Sequence, residues 1–484
     1  MPCTTLLVGK KASYDGSTII ARTDDGYFDE KKVVVINPKQ QPKIYKSKIG
    51  HLTIELPDNP LRYTCCPSVK KENGVWGAAG INSLNVGMTA TETITSNALV
   101  VGADPYVTYD KSKKKVGGIG EEDLVSIVLP YIKSAKEGVI RLGQLLEKYG
   151  TYEANGIAFN DENEIWWLET IGGHHWMARK VPDDVYVVMP NQFGMDYFDF
   201  DDAYGKQEEF MCSKDLKEFM EKNHININPE DTLDFNPRLA FGSHSHADHV
   251  YNTPRAWYMA RFFNPTLYKW DGPDAEFTPE SDNIPWSLTP ERKITIEDVK
   301  SILSSNYQGT LFCPYNKAET PQKGIYRSIG INRTSDTLIL QIRNYVPEGI
   351  KAIEWICLGS TTYDVASPIY PNVSSLPKYY TNTKMNVSTD SFYWNARLIA
   401  ALADPYYGNC VQIIERYQTA VFYKAQELLN EYDEKYKQNS NENILIEAND
   451  KIAEMVAKET SEALGKVLME ASIHMKNGYN RADN

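Results

Sequence analysis

The sequence predicts an α+β fold of antiparallel layers, and three observations carry that prediction. Segments with the two-residue period of strands open the chain and return after residue 155. Between them, residues 121–150 switch to helical spacing. From about residue 390 the helical spacing runs to the end. Blocks of this kind indicate sheets with segregated helices, whereas regular strand–helix alternation would indicate a parallel sheet.

Each element follows from local chemistry. CTTLLVG and STIIAR are strand-like, and Ser13-Tyr14-Asp15-Gly16-Ser17 between them is a turn, so the first 30 residues read as a hairpin. VVVIN (33–37), HLTIEL (51–56) and NVGMTATETI (85–94) read as further short strands. In EEDLVSIVLPYIKSAKEGVIRLGQLLEKYG, Pro130 interrupts and Gly150 ends the pattern, which gives two short helices. GIAFND, EIWWLETI, HHWMARKV and VYVVMPNQ, joined by Asn/Asp/Gly turns, read as an antiparallel meander. Residues 267–295 lack a period and read as a long ordered loop, while TLILQIR and IEWICLGS are late strands. NILIEANDKIAEMVAKETSEALGKVLMEA has the apolar stripe of an amphipathic helix. Such helices either pack on the sheets or build a homo-oligomer interface.

Composition narrows the function classes. The 484 residues carry 51 Lys and Arg against 64 Asp and Glu, a net charge of −13. Nucleic acid and anionic membrane both need a basic face, so neither is the expected partner. No run of 18 apolar residues is present, and no basic-then-apolar signal opens the chain. The seven cysteines are scattered, without CxxC spacing. Reduced thiols in a cytoplasmic protein are the expectation.

Three constellations carry chemistry-bearing residues. His244, His246, Asp248 and His249 spell HxHxDH, a spacing that can hold zinc and activate water. Its surroundings lack a buried strand, and only His474 lies downstream as a further histidine, so local hydrogen bonding is the plainer reading. The second constellation is Cys3. A cysteine at a true chain start carries a thiol nucleophile and an α-amine with a pKa of about 7.7–8.0 on one residue. Arg22 and Asp25, in IIARTDDG, end the return strand of the hairpin and can lie near Cys3. Equally, they can form an ion pair at a strand end. The third is the acidic DYFDFDDAYG at 196–205, which is either a receptor for a substrate ammonium or a solvated loop. Trp166, Trp167 and Trp176 read as packing residues.

CTTLLVGKKASYDGSTIIARTDDG resembles the opening of the dipeptidase A family, cysteine peptidases of the N-terminal-nucleophile hydrolase superfamily. Choloylglycine hydrolases, penicillin V acylases and secernins are more distant relatives. GGHHWMARKVPDDVYVVMPNQF resembles the family's strands leading to a P-N-Q element, and YNTPRAWYMARFFNP its YN-x-P-R-x-W element. The resemblance implies an αββα sandwich of two antiparallel sheets over residues 1–385, with 386–484 as a helical extension packed on it. It implies hydrolysis of dipeptides without metal or cofactor, after autocatalytic removal of Met1-Pro2. Residue by residue, Cys3 would be nucleophile and, through its freed amine, base. Asp25 would hold that amine, and Arg22 would sit beside the thiol. Asn191 would donate to the oxyanion, and Arg255 would take the place of the superfamily's last active-site arginine. The alternatives are an amidase acting on a non-peptide amide, a zinc hydrolase built on HSHADH, and a scaffold in which Cys3 is only a buried strand residue.

Overall fold

The computed structural model describes residues 3–26, 29–70, 72, 74–90, 92–229 and 234–476. The expected leader, Met1-Pro2, lies outside the described residues. β1 (Cys3–Val8) and β2 (Thr18–Asp24) form the expected hairpin, with Cys3 opposite Asp24 and Thr5 opposite Arg22. Gly16 closes its turn at a φ of +84°, a conformation most side chains disfavour. Two short ribbons pair β3 (Val34–Ile36) with β6 (Tyr63–Cys65) and β4 (Ile44–Lys46) with β5 (Thr53–Glu55). Next come β7 (Ala79–Ile81), β8 (Gly87–Thr89) and β9 (Glu92–Thr93), so the segment expected as one strand at 85–94 is two.

The meander holds for β10 (Asn155–Asn160), β11 (Ile165–Ile171) and β12 (His175–Val181), but β13 (Tyr186–Met189) leaves it. β13 pairs with β1 in the other sheet. The crossing is anchored where Asp183 O accepts from Lys11 N and Ala12 N, and Val185 O accepts from Gly9 N. Gly9 permits it, because a Cβ there would stand 2.4 Å from Asp183 O. Local periodicity carries no information about such a change of sheet. β14 (Phe210–Cys212), which sequence spacing does not announce, takes the edge beside β12. β15 (Ser287–Leu288), β16 (Asp336–Ile342), β17 (Ala352–Leu358) and β18 (Ser367–Ile369) complete the strands.

One sheet runs β15-β13-β1-β2-β16-β17-β18, the other β14-β12-β11-β10-β8-β7 with β9 beside β10, and all pairings within them are antiparallel. The sheets face each other, β8 and β10 packing across β2, and β9 across β1. Among the helices, α1 (Ala98–Ala103), α2 (Glu121–Val128) and α3 (Ala135–Tyr149) come first, the last two split around Pro130 as expected. α4 (Phe200–Tyr204), α5 (Leu216–Lys222), α6 (Pro237–Phe241), α7 (His246–Tyr251), α8 (Thr253–Phe263) and α9 (Ile296–Leu303) follow. α10 (Lys378–Thr381), α11 (Phe392–Ala403), α12 (Tyr407–Gln438) and α13 (Glu442–Ile473) end the described chain.

α3 covers the outer face of the second sheet, α8 and α9 lie on the first, and α11, α12 and α13 pack on its β17–β18 end. Alternation on β11 shows the layering: Trp166 and Leu168 pack with α3, while Trp167 faces the first sheet. Both tryptophans are fully buried, and truncating either to alanine is expected to cost about 3–5 kcal/mol. α12 is fastened by Phe422 stacked on Trp355 and by Arg343, just past β16, which grips Asp433 with both nitrogens at 2.6 and 3.1 Å. Among the described residues no helix is long and apolar enough to cross a membrane.

Candidate active site

Residues opposite each other in an antiparallel pair share a face, so Cys3, Thr5, Arg22 and Asp24 all point between the two sheets. Arg22 Nη2 donates to Cys3 Sγ at 2.7 Å and also to Glu121 Oε1 at 3.1 Å. Its Nη1 donates to Ala78 O at 2.9 Å, which fixes the guanidinium plane. Glu121 enters from the first turn of α2. From β9, Glu92 Oε2 accepts from Thr5 Oγ1 at 2.8 Å. Asp336 of β16 lies opposite Asp24, so Cys3, Asp24 and Asp336 form one rung across three strands. Lys31 reaches Asp24 Oδ2 at 2.9 Å.

The outer face of the same strands carries a second cluster. Arg255, on α8, bonds Cys3 O, Thr4 Oγ1 at 2.7 Å and Asn191 Oδ1 at 2.8 Å. Asn191 Oδ1 also accepts from Cys3 N at 3.3 Å, and its Nδ2 donates to Thr93 O at 2.8 Å. Asp25 accepts from Thr23 Oγ1 at 3.2 Å, Thr334 Oγ1 at 2.6 Å and the Arg327 guanidinium. Thr23 Oγ1 in turn accepts from Thr4 N at 3.0 Å, so Asp25 is joined to β1 through one hydroxyl.

Burial dominates the electrostatics. It pushes the Cys3 thiol well above its ordinary value; Arg22 opposes, while Glu121, Glu92 and Asp24 add to the rise. Burial likewise lifts Glu92 to about 8 against Arg255, the Thr5 hydrogen bond and Arg22. It also lifts Asp336 well above the carboxylate range, with Asp24 beside it reinforcing the effect. Asp24 goes the other way: Lys31 and Arg22 outweigh its burial and hold it at about 2. Crowding into an apolar layer next to Arg327 brings Arg255 down to about 10.

All five residues singled out from sequence meet here: Cys3 and Arg22 between the sheets, Asp25 and Arg255 on the outer face, and Asn191 between Arg255 and Thr93 of β9. Sequence reasoning missed Glu121, Glu92, Arg327 and Thr334. Glu121 sits at a helix start that was legible, but its partner is 99 residues away, and nothing local marks that distance.

The HSHADH segment is differently built. Ser245 caps α7, and Asp248 accepts from Ser243 Oγ, Ser245 N and Ser245 Oγ at 2.8–2.9 Å. His249 Nε2 pairs with Asp282 at 3.0 Å, and His244 Nδ1 lies 3.8 Å from the same carboxylate. Among the described residues no group of three or more His, Cys, Asp or Glu side chains is placed to hold a metal ion. Asp248 Oδ1 accepts from Asn252 Nδ2 at 2.6 Å, and Asn252 Oδ1 accepts from Arg255 at 2.8 Å, so the motif's carboxylate buttresses the site from outside. The acidic stretch is also used locally. Asp199 caps α4, Asp196 accepts from Trp286 N at 2.9 Å, and Asp202 accepts from Glu208 N, Glu209 N and Phe210 N.

Comparison with known proteins gives this geometry a context. The model for Peptidase family C69 matches residues 2–420. The chain is 49% identical to a protein named "Dipeptidase" from Bifidobacterium longum, across 100% of both chains. It is 48% identical to a "Probable dipeptidase A" of Streptococcus pyogenes serotype M3, again over 100% of both. With "Dipeptidase A" of Lactobacillus helveticus it shares 43% identity over 99% of each.

Proposed function

The chain belongs to Peptidase family C69, and from that premise we propose that it is a dipeptidase whose nucleophile is the thiol of Cys3. The observation that carries the reading is the convergence on one residue. Arg22 stands 2.7 Å from its sulfur, and the Asn191 carboxamide and the Arg255 guanidinium stand at its backbone. The relatives' names supply the substrate class, dipeptides. The face-to-face antiparallel sheets between helical layers are consistent with an N-terminal-nucleophile fold. On that reading residues 1–385 form the hydrolase domain, and 386–484 a helical extension packed on it.

In the mechanism, the Pro2–Cys3 bond is first broken. The thiol attacks the Pro2 carbonyl, the acyl group moves from nitrogen to sulfur, and water hydrolyses the thioester. This leaves a free α-amine where Cys3 N now donates to Asn191. In turnover that amine takes the thiol proton, and the thiolate forms an S–C bond to the dipeptide carbonyl. The oxyanion is stabilised by Asn191 Nδ2, turned from Thr93 O, and by Arg22 beside it. The C–N bond breaks as the amine passes its proton to the leaving amino group. Water, deprotonated by the same amine, then releases the acyl group as a free carboxylate and restores the thiol. Asp25 would hold the freed amine, and with Thr23 and Arg327 it keeps β1 in register from the outer face.

Intact mass before and after alkylation, followed by a dipeptide panel run beside bile-salt and penicillin-type amides, tests the reading. Loss of Met1 and Pro2, one rapid alkylation that abolishes activity, and hydrolysis confined to dipeptides are expected. A chain that retains Pro2 while cleaving dipeptides overturns the proposed nucleophile.

A further inference from the structure

A dipeptide carries its α-ammonium two bonds from the scissile carbonyl carbon, about 2.5 Å away. With the thiol in attack position about 3–3.5 Å from that carbon, the ammonium lies within roughly 6 Å of Sγ. A group that discriminates dipeptides by this charge must therefore line the thiol itself. The acidic stretch at 196–205 is engaged elsewhere, as its hydrogen bonds show.

Four carboxyl groups surround Cys3. Glu121 faces the Arg22 guanidinium, Asp24 faces Lys31, and Asp25 faces Arg327 and Thr334 on the outer side of the strands. Glu92 differs. Its Oε2 takes the Thr5 hydroxyl, and among the described residues its Oε1 has no hydrogen-bond partner although the side chain is fully buried. An idle carboxyl oxygen in a dry layer is costly unless something occupies it. Asp336 also has idle oxygens, but it stands one strand beyond Asp24, where Lys31 and Arg22 already act on it.

The surroundings of Glu92 suit a cation. It lies opposite Gly156, where the Trp167 ring fills the space a Cβ would need, 2.1 Å from Cζ2. Beyond the ring, Glu169 accepts from Trp167 Nε1 at 3.0 Å and Gly194 N at 2.8 Å, and its other oxygen is idle as well. The Trp167 ring thus borders this position with the Glu169 carboxyl beyond it, and the Arg255 and Arg22 guanidiniums also act on Glu92.

We propose that Glu92 receives the α-ammonium of the substrate and thereby restricts hydrolysis to peptides with a free amino terminus; this rests on the dipeptidase reading above. An incoming cation would offset the burial that holds this carboxyl at about 8, so the empty position is neutral and the filled one an ion pair.

The experiment compares mature wild type with Glu92→Gln on two substrates, a dipeptide and its des-amino analogue. Wild type is expected to prefer the dipeptide by about 10²-fold in kcat/KM. Glu92→Gln, which keeps the Thr5 hydrogen bond, is expected to lose most of that preference through KM for the dipeptide, with the analogue unchanged. A Glu92→Gln enzyme that retains the preference overturns this inference and leaves the dipeptidase reading standing. Wild type that cleaves both substrates equally does the same. Mature wild type that cleaves no dipeptide overturns both. Should Glu92→Gln fail to fold or mature, Glu92→Asp moves the charge by one methylene. A rise in KM for the dipeptide alone supports the assignment, and an unchanged KM overturns it.

Discussion

Two stretches of this chain carry dense clusters of reactive side chains, and they use them in opposite ways. Around Cys3 the polar atoms reach across the fold: to Arg22 19 residues away, to Asn191 at 188 and to Arg255 at 252. In HSHADH the reach is far shorter than to Asn191 or Arg255: Asp248 completes the capping box of its own helix, and two histidines share Asp282, 33 residues past His249. One arrangement exists only when the whole protein is folded; the other is mostly a local turn of helix. A string of ligand-type residues is therefore weaker evidence for a site than residues of ordinary type that the sheets bring together.

The sharpest way to break the comparison is at the thiol. Cys3→Ala is expected to lower dipeptide turnover by at least about 10³-fold and to leave Met1-Pro2 attached, read by steady-state kinetics and intact mass. Substantial residual turnover would sink the mechanism. Next in size is Arg22→Met, which breaks the buried Arg22–Glu121 ion pair and should cost about 3–5 kcal/mol in denaturant unfolding. Adding Glu121→Leu should recover much of that loss, and no recovery would mean the pair is not the source.

A pH scan separates the interior from the surface segment. Burial raises Glu354, which accepts from Thr64 Oγ1, to about 7, so the folded protein holds a proton that the unfolded chain has released above its own pKa near 4.5. Stability from this group is therefore present at low pH and lost as pH rises from about 4.5 to 7, on the order of 3 kcal/mol at most. Glu354→Gln should flatten that part of the profile; an unaltered slope would exclude the assignment. Asp248→Ala removes the carboxylate half of the capping box that Ser245 starts and should cost about 1 kcal/mol, with a small fall in activity through Asn252 and Arg255. Smallest of all, His246→Ala is exposed and should stay within about 0.5 kcal/mol of wild type. Dialysis against a chelator should leave turnover intact, and a loss restored by zinc would return the HSHADH reading.

Much of the architecture was legible because it rests on short-range rules. The hairpin at Asp15-Gly16, the break at Pro130, the cap at Gly150 and the late helices all follow from residues that act on their immediate neighbours. The exit of β13 from the meander was not legible, since a strand of the same pattern satisfies either sheet. At the site, Arg22 could be placed near Cys3 by hairpin geometry alone. Asn191 and Arg255 came from resemblance, and Glu121, Glu92 and Arg327 came from neither, because isolated acidic and basic residues carry no mark of the partner they will meet.

The sequence by itself determined the order and type of the elements, the acidic balance, and the presence of a cysteine followed by R-x-x-D on a return strand. Tertiary structure alone decided which charges share the dry layer with the thiol, and so which carboxyls are held neutral and which are held ionised. The reason is physical. Periodicity and turn chemistry act over a few residues of chain, whereas burial and Coulomb interaction act through space, and at this site they join Asp25 to Arg327, 302 residues away.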